Sequence, residues 1–386
     1  MSTGGAPTAP GELAPLPVGP RAARVRARLG DLPGGGAAEA LLVTDLTNLR
    51  WTTGFSGSSA WLLVLPDRLV LVTDGRYVEQ ARAELAALDV GADVAEARTE
   101  AEMIDRVADL TRSVTTLAFE AERLSVAVHG RLAAAVAPHL VPASGLVEAE
   151  RRTKDDAEVA RIAEAARITD AALAAVVPML GERPLEVDVR DELEHRMRRL
   201  GAAGPSFETI VATGPANASL PHHRPDRTVV EEGHTVIVDV GALVEGYHSD
   251  MTRTFVVGEP TPRQREVFDL VLAAQRAGVA ALGPGLEVAG LDAICRDLIA
   301  EAGWGAAFSH GTGHGVGLQI HEDPFVNSSA KGTLRAGDVV TVEPGVYRGD
   351  FGGVRIEDLV VVTSDGHRVL THSPKDSPCL PSPRTT

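Results

Sequence analysis

Apolar positions in the first third of the chain fall in short runs separated by turn residues. Ala40 to Thr44, AWLLVLP at Ala60 to Pro66 and LVLVT at Leu69 to Thr73 read as strands, and the mixed pattern from Tyr77 to Leu88 reads as a helix. Short strands and helices continue to about Leu146, and that alternation predicts an α/β unit. The turn-rich DLTNLRWTTGFSGSS and the DGR at Asp74 to Arg76 read as connectors. Thr153 followed by Asp156 looks like a capping box, and Val159, Ile162, Ala166, Leu173 and Val177 then recur at helical spacing. Further helices are predicted at 186–200, ended by Gly201, at 262–281, opened near Pro262, and at 288–302, ended by Gly303. Strand-rich segments at 207–257 and 305–363 lie between and after them. The second part therefore reads as helices, hairpin, helices, hairpin, an internal two-fold repeat of α+β class. The expected boundaries are a Pro, Gly and Ala rich disordered leader over 1–20, a first unit over 21–150, a second over 151–375 and a flexible tail over 376–386.

The repeat is clearest in GHTVIVDVG (Gly233 to Gly241) and GDVVTVEPG (Gly337 to Gly345), each ending an apolar run on a carboxylate, Asp239 or Glu343. A second apolar strand follows each, with Asp250 in YHSDMTRTFVV and Glu357 in GGVRIEDLVVV. Acids with apolar neighbours on both sides belong to strands covered on both faces, where a bare charge is costly and a cation is the usual compensator. In the first hairpin Glu245 and Gly246 form the natural two-residue turn, so Val244 pairs with Tyr247 and Gly241 faces Asp250. Asp239 and Asp250 then become diagonal neighbours about 7 to 8 Å apart, close enough to share metal ions. Thr252 falls on the same face, placed to orient an aspartate. The longer YRGDFGG turn prevents the same count in the second hairpin, and equivalence with the first carries that step.

Composition narrows the chemistry. At 386 residues the chain can bury two cores, and its 44% hydrophobic and 23% charged content is that of a globular protein. A net charge of −16 without a basic stripe disfavours nucleic acid and anionic membranes as partners. Cys295 and Cys379 lack metal-type or disulfide-framework spacing, no signal peptide or membrane span is read, and the expected location is cytoplasmic. Seven of the twelve histidines fall between His222 and His321, three of them in SHGTGHGVGLQIHEDP. His314 stands between Gly313 and Gly315, which leave the backbone room to approach a bulky centre. His310, His321, His222 and His223 remain candidates for substrate contact, whereas His129, His139, His195, His234, His248, His367 and His372 take the surface or structural reading. Four carboxylates and an imidazole suit two divalent ions, manganese, cobalt or iron, with zinc also fitting. With no phosphate loop, nucleophile elbow or reactive Cys setting, the expected chemistry is metal-assisted hydrolysis.

DVGALVEGYHSDMTRTF, HGTGHGVGLQIHEDP, VEPGVY and VRIED resemble the motifs of the pita-bread metallopeptidases, specifically the aminopeptidase P and prolidase branch. The resemblance covers about 155 to 370, and LTNLRWTTGFSGSSA with LVTDGRY is similar to that branch's creatinase-type N-terminal domain. It implies that Asp239 chelates one metal, Asp250 and Glu357 bridge both, and His314 with Glu343 complete the other. His222 and His321 become catalytic histidines around the scissile bond, and His310 lines the pocket for proline. Arg355 is grouped with the substrate side and resembles the arginine that holds the ligand carboxylates. His223 follows a family position whose next residue varies, and it receives no role. The implied reaction is attack of a metal-bridging hydroxide on an Xaa-Pro carbonyl, with Glu343 relaying the proton, His321 stabilising the oxyanion and His222 positioning the proline side. The implied ions are two divalent metals, Mn²⁺ first among them; the implied substrates are proline-containing peptides and the implied assembly a homodimer. An aminopeptidase P acting on peptides with proline second is preferred over a prolidase restricted to dipeptides. Methionine aminopeptidases lack the first domain and creatinase has lost the ligands. A non-catalytic peptide-binding module is the rival of another class, and the intact set Asp239, Asp250, His314, Glu343 and Glu357 argues against it.

Overall fold

The computed structural model describes residues 13–33 and 35–380. The chain divides between Arg151 and Arg152 into two compact units. In the first, six strands run in the order Ala92–Glu96, Leu69–Thr73, Ala60–Val64, Ala40–Val43, Thr116–Glu120, His139–Ala143. The pairs around Ala60–Val64 are antiparallel and the others parallel, so the sheet is mixed. All four residues of Ala40–Val43 are buried, as expected for a central strand with helices on both faces. One face packs Leu42, Leu63, Val70 and Leu117 against Ile104, Val107 and Leu132.

Two sequence expectations change here. The stretch read as a loop contains the helix Leu46–Thr53, capped by Asp45, whose carboxylate accepts from the backbone of Thr47 and Asn48 at 2.8 and 2.9 Å. Its polar composition hid it: the hydroxyls of Thr52 and Thr53 donate to the carbonyls of Asn48 and Leu49, satisfying groups that would otherwise disfavour a helix. Asp74 and Arg76 do form a connector in which the guanidinium folds back onto the carboxylate at 2.8 Å. The leader lies outside the described residues up to 12, but Val18 is buried, so its last part is packed. Residues 381–386 of the expected tail also lie outside the described residues, while the Val256 amide donates to Pro378 O at 2.7 Å.

The second unit is built from two copies of one plan. Asp156–Val176 and Glu186–Arg199 precede the first set of strands, and Pro262–Ala281 and Val288–Glu301 precede the second. The first of these helices starts two residues later than Thr153 suggested, because Asp155 and Glu158 form the reciprocal capping box. Strands Thr252–Val256, Thr235–Asp239 and Ile210–Thr213 lie in that order in one antiparallel sheet. Asp358–Val362, Val339–Val342 and Gly313–Gly315 repeat it in the other, which Glu322–Val326 and His367–Val369 extend at its two edges. Each copy also carries a hairpin arm, Ala242–Val244 with Tyr247–His248, which Gly204–Pro205 extends to three strands, and the two-stranded Gly345–Arg348 with Gly352–Arg355. The first arm turns at Glu245 and Gly246 with φ of 45° and 81°, the left-handed pair a tight hairpin requires. Phe268, Val271, Leu291 and Ile299 pack onto Val340, Val342, Val360 and Val362 as one continuous core. Among the described residues no helix is long and apolar enough to cross a membrane.

Candidate metal centre and the cavity around it

Both hairpins lose their regular pairing for two or three residues, and the acids stand at those breaks. In the first, Asp239 pairs with Thr252 and Val244 with Tyr247 in a single register, which puts Gly241 opposite Asp250. Asp239 and Asp250 are therefore the diagonal neighbours the turn predicts. In the second, Val342 pairs with Asp358 and Gly345 with Arg355, again one register, so Glu343 stands directly opposite Glu357. The duplication is thus not a simple doubling of acids. Asp239 corresponds to Glu343, but the register place of Glu357 is held in the first copy by Thr252, and that of Asp250 is held in the second by Arg355. Thr252 does not orient an aspartate: its hydroxyl donates to Glu357 Oε2 at 2.7 Å.

His314 closes the cluster. Its Nε2 lies 3.5 Å from Asp250 Oδ2 and 3.4 Å from Glu343 Oε1, and a carboxylate oxygen of Glu357 lies within 4.8 Å of ligand atoms of both His314 and Asp250. Its Nδ1 is 3.1 Å from Gly315 O, an atom that can only accept, so Nδ1 carries the proton and Nε2 presents its lone pair to the acids. Burial, with His321 beside it, pushes the imidazole down to about 4 and keeps it neutral. The flanking glycines serve a different purpose from the one expected. A Cβ on Gly313 would meet Thr341 O at 2.1 Å and one on Gly315 would meet Asp323 O at 2.4 Å, so they admit the backbones of neighbouring strands rather than a bulky centre.

Burial first, then mutual repulsion, raises Asp250 and Glu357 well above the usual carboxylate range, and Glu343 is raised too, by burial and Asp239 against the opposing pull of Arg355. Asp239 Oδ1 and Glu357 Oε1 are buried and have no hydrogen-bond partner. Buried oxygens are rarely left so, and here both belong to the cluster in which the His314 imidazole and two further carboxylates, Asp250 and Glu343, converge. Asp239, Asp250, His314, Glu343 and Glu357 therefore fit divalent ions, and the hard oxygen set fits manganese, cobalt, iron or zinc. The partners around them are fixed in turn. Arg355 is buried and spends its donors on Asp239 Oδ2 at 2.6 Å, Thr252 Oγ1 at 3.0 Å, Tyr347 Oη at 2.7 Å and Pro221 O at 3.2 Å. It holds the Asp239 carboxylate in place and itself lines the cavity over the cluster. Thr341 accepts from the His314 amide and donates to Glu343 Oε1.

A cavity of about 450 Å³ opens over the cluster. His222, His310 and His321 line it with the five acid and imidazole groups. His222 and His321 are exposed, and neither ring hydrogen-bonds another group among the described residues. The His321 ring stands edge-on to His314 at 4.3 Å, and the partial desolvation of its ring, then His222, pushes its basicity down. His310 is engaged at both nitrogens. Its Nδ1 donates to Gly311 O at 2.7 Å, and its Nε2 accepts from Tyr347 Oη at 3.0 Å, which accepts in turn from Arg355. Burial and Arg355 drive it down to about 4. Tyr347, Thr341 and Arg355's four-way grip are not derivable from spacing, although Tyr347 stands in the VEPGVY motif. His248 and His234 have the structural roles expected, bonded to Ser206 and Thr213.

Residues 160–364 match metallopeptidase family M24, and residues 21–153 match the creatinase/prolidase N-terminal domain. The chain belongs to metallopeptidase family M24. Over 90% of its length and 98% of the relative's, it is 37% identical to the Bacillus subtilis protein described as the uncharacterized peptidase YqhT. Among solved structures, an Xaa-Pro dipeptidase from Bacillus anthracis superposes with a TM-score of 0.87 at 38% identity, covering 93% of this chain and 99% of that one. An X-Pro aminopeptidase from Thermotoga maritima gives 0.82 at 32%, covering 89% and 97%. The fold is the family's creatinase-like N-terminal domain followed by its pita-bread domain, and this M24 chain is a metal-dependent peptidase.

Proposed function

We propose that the chain hydrolyses the Xaa-Pro bond at the N-terminus of peptides, with two divalent ions, manganese first among them, held by Asp239, Asp250, His314, Glu343 and Glu357. The orphaned oxygens of Asp239 and Glu357, in a histidine-lined cavity that His314, Asp250 and Glu343 also line, carry this reading. Bound there, divalent metal supplies Lewis acidity that makes water more acidic and polarises the scissile carbonyl. Glu343, half-buried beside His314, accepts the proton of the attacking water and delivers it to the leaving proline nitrogen. His321 donates to the oxyanion that develops on the carbonyl, and His222 holds the chain on the proline side. His310, neutral and clamped between Gly311 and Tyr347, offers a ring wall to the pyrrolidine. A dedicated pocket is needed because proline's tertiary amide and fixed φ do not fit an extended peptidase cleft.

Peptides longer than two residues are the preferred substrates. Of the two arginines lining the cavity among the described residues, Arg355 is committed to its interior partners, and the exposed Arg224 pairs through Nε with Glu208 at 3.2 Å, so a dipeptide's terminal carboxylate would have to compete with Glu208 for it. The Bacillus anthracis structure, an Xaa-Pro dipeptidase by name, supports the second reading, a dipeptidase. Turnover of Xaa-Pro against Xaa-Pro-Xaa peptides decides between them. Cleavage of both, with higher kcat/KM for the tripeptides, is expected; activity confined to dipeptides would establish the second reading, and cleavage of neither would remove both.

Chelation tests the metal assignment through stability. Ions that bind only the folded chain stabilise it by about 2.7 kcal/mol at a hundredfold excess over Kd, and removing them leaves the buried acids facing one another. Thermal melts with and without EDTA should differ by several degrees, with Mn²⁺ restoring the higher Tm. Superimposable melts would count against a built metal centre.

A further inference from the structure

Glu186 opens the helix Glu186–Arg199, and its carboxylate is fully buried. Oε1 accepts from the Thr213 amide at 2.7 Å and Asn217 Nδ2 at 3.1 Å, and Oε2 from the Asp226 amide at 3.1 Å and His223 Nε2 at 2.8 Å. The segment 213–226, which carries His222, is therefore gathered onto one carboxylate at both ends and near its middle. Glu186, His223 and Asp226 also lie within coordinating distance of one another. Both oxygens of Glu186 already receive N–H hydrogens, however, and Asp226 Oδ1 accepts from Thr228 N at 2.7 Å, so the trio is a hydrogen-bonded clamp and not a cation site.

Among the described residues the His222 ring has no such hydrogen-bond partner of its own. Its place is set by its neighbours in the chain: Pro221 O accepts from Arg355, and His223 is anchored on Glu186. The second copy of the fold fixes its own histidine similarly. Asp292, fully buried on Val288–Glu301, accepts from the Thr312 amide and hydroxyl at 3.0 and 2.8 Å and pairs with Arg296, which donates to His310 O at 2.7 Å. In each half one buried helix carboxylate organises the loop that brings a histidine to the cavity. We propose that His223 is a positioning residue: its bond to Glu186 fixes the backbone at 222 so that the His222 imidazole meets the substrate. The inference rests on the peptidase reading above.

A double-mutant cycle on the metal-loaded full chain tests it, with kcat/KM on an Xaa-Pro-Xaa peptide and melting temperature as readouts. Misplacement of a reacting group by about 1 Å can cost about 10²-fold, so His223→Ala is expected to lose between tenfold and a hundredfold in kcat/KM. His223→Gln, which keeps a side-chain N–H for Glu186, should recover most of that loss. In a His222→Ala background the further change His223→Ala should matter less than about twofold, because coupled residues do not add. An unchanged kcat/KM, a loss of full size in the absence of His222, or a loss that merely follows the melting temperature would overturn the assignment. A wild-type chain active on Xaa-Pro peptides keeps those outcomes separate from failure of the peptidase reading; an inactive one would overturn both.

Discussion

Glu343→Gln is expected to abolish Xaa-Pro hydrolysis while the protein stays folded and continues to bind metal. Glutamine keeps the shape and one oxygen, so the bond from Thr341 at Glu343 Oε1 and the approach to His314 can persist. It cannot carry a proton from water to the leaving nitrogen. General acid and base groups contribute about 10² to 10⁴-fold, and loss of a ligand charge adds to that, so a fall in kcat of at least about 10³-fold is expected. Metal content by elemental analysis should remain near the wild-type value. Turnover within tenfold of wild type would remove Glu343 from the proton relay, and loss of metal with loss of activity would reduce it to a ligand.

The second large effect belongs to Arg355. Its guanidinium is bonded to the Asp239 carboxylate, and it serves Asp239, Thr252, Tyr347 and Pro221 O together. Breaking a buried pair by removing one partner costs about 3 to 5 kcal/mol, because the other charge stays buried without compensation. Arg355→Ala should lower stability by that amount in urea unfolding and depress activity through displaced Asp239 and Tyr347. Arg355→Lys should recover little, since one ammonium cannot reproduce a planar fork aimed at four acceptors. A loss under about 1 kcal/mol for Arg355→Ala, or full recovery with lysine, would contradict that role.

Period and turn chemistry made much of the second unit legible. Pro262 opens its helix at the expected residue, Gly201 and Gly303 follow the helices they were read to end, and the Glu245 and Gly246 turn sets the diagonal pair of aspartates. Reading failed where a side chain's partner lies far along the chain. The helix Leu46–Thr53 was hidden because its threonines satisfy themselves on carbonyls four residues back, which composition does not reveal. Equivalence of the two hairpins predicts acids at matching places in both, yet register puts Arg355 where Asp250 stands and Glu357 where Thr252 stands. The two exchanged places still meet, Thr252 donating to Glu357. No spacing rule contains that contact, since it joins residues 105 apart in sequence. His223, left without a role by its neighbour's motif, has a partner 37 residues away.

Titration of chelator-stripped protein with Mn²⁺, following hydrolysis of an Xaa-Pro-Xaa peptide at each addition, tests the central claim most directly. The stripped chain is expected to be inactive and to recover full turnover by two equivalents of metal per chain. Hydrolysis that survives stripping, or none at any metal level, would contradict a metal centre built from Asp239, Asp250, His314, Glu343 and Glu357.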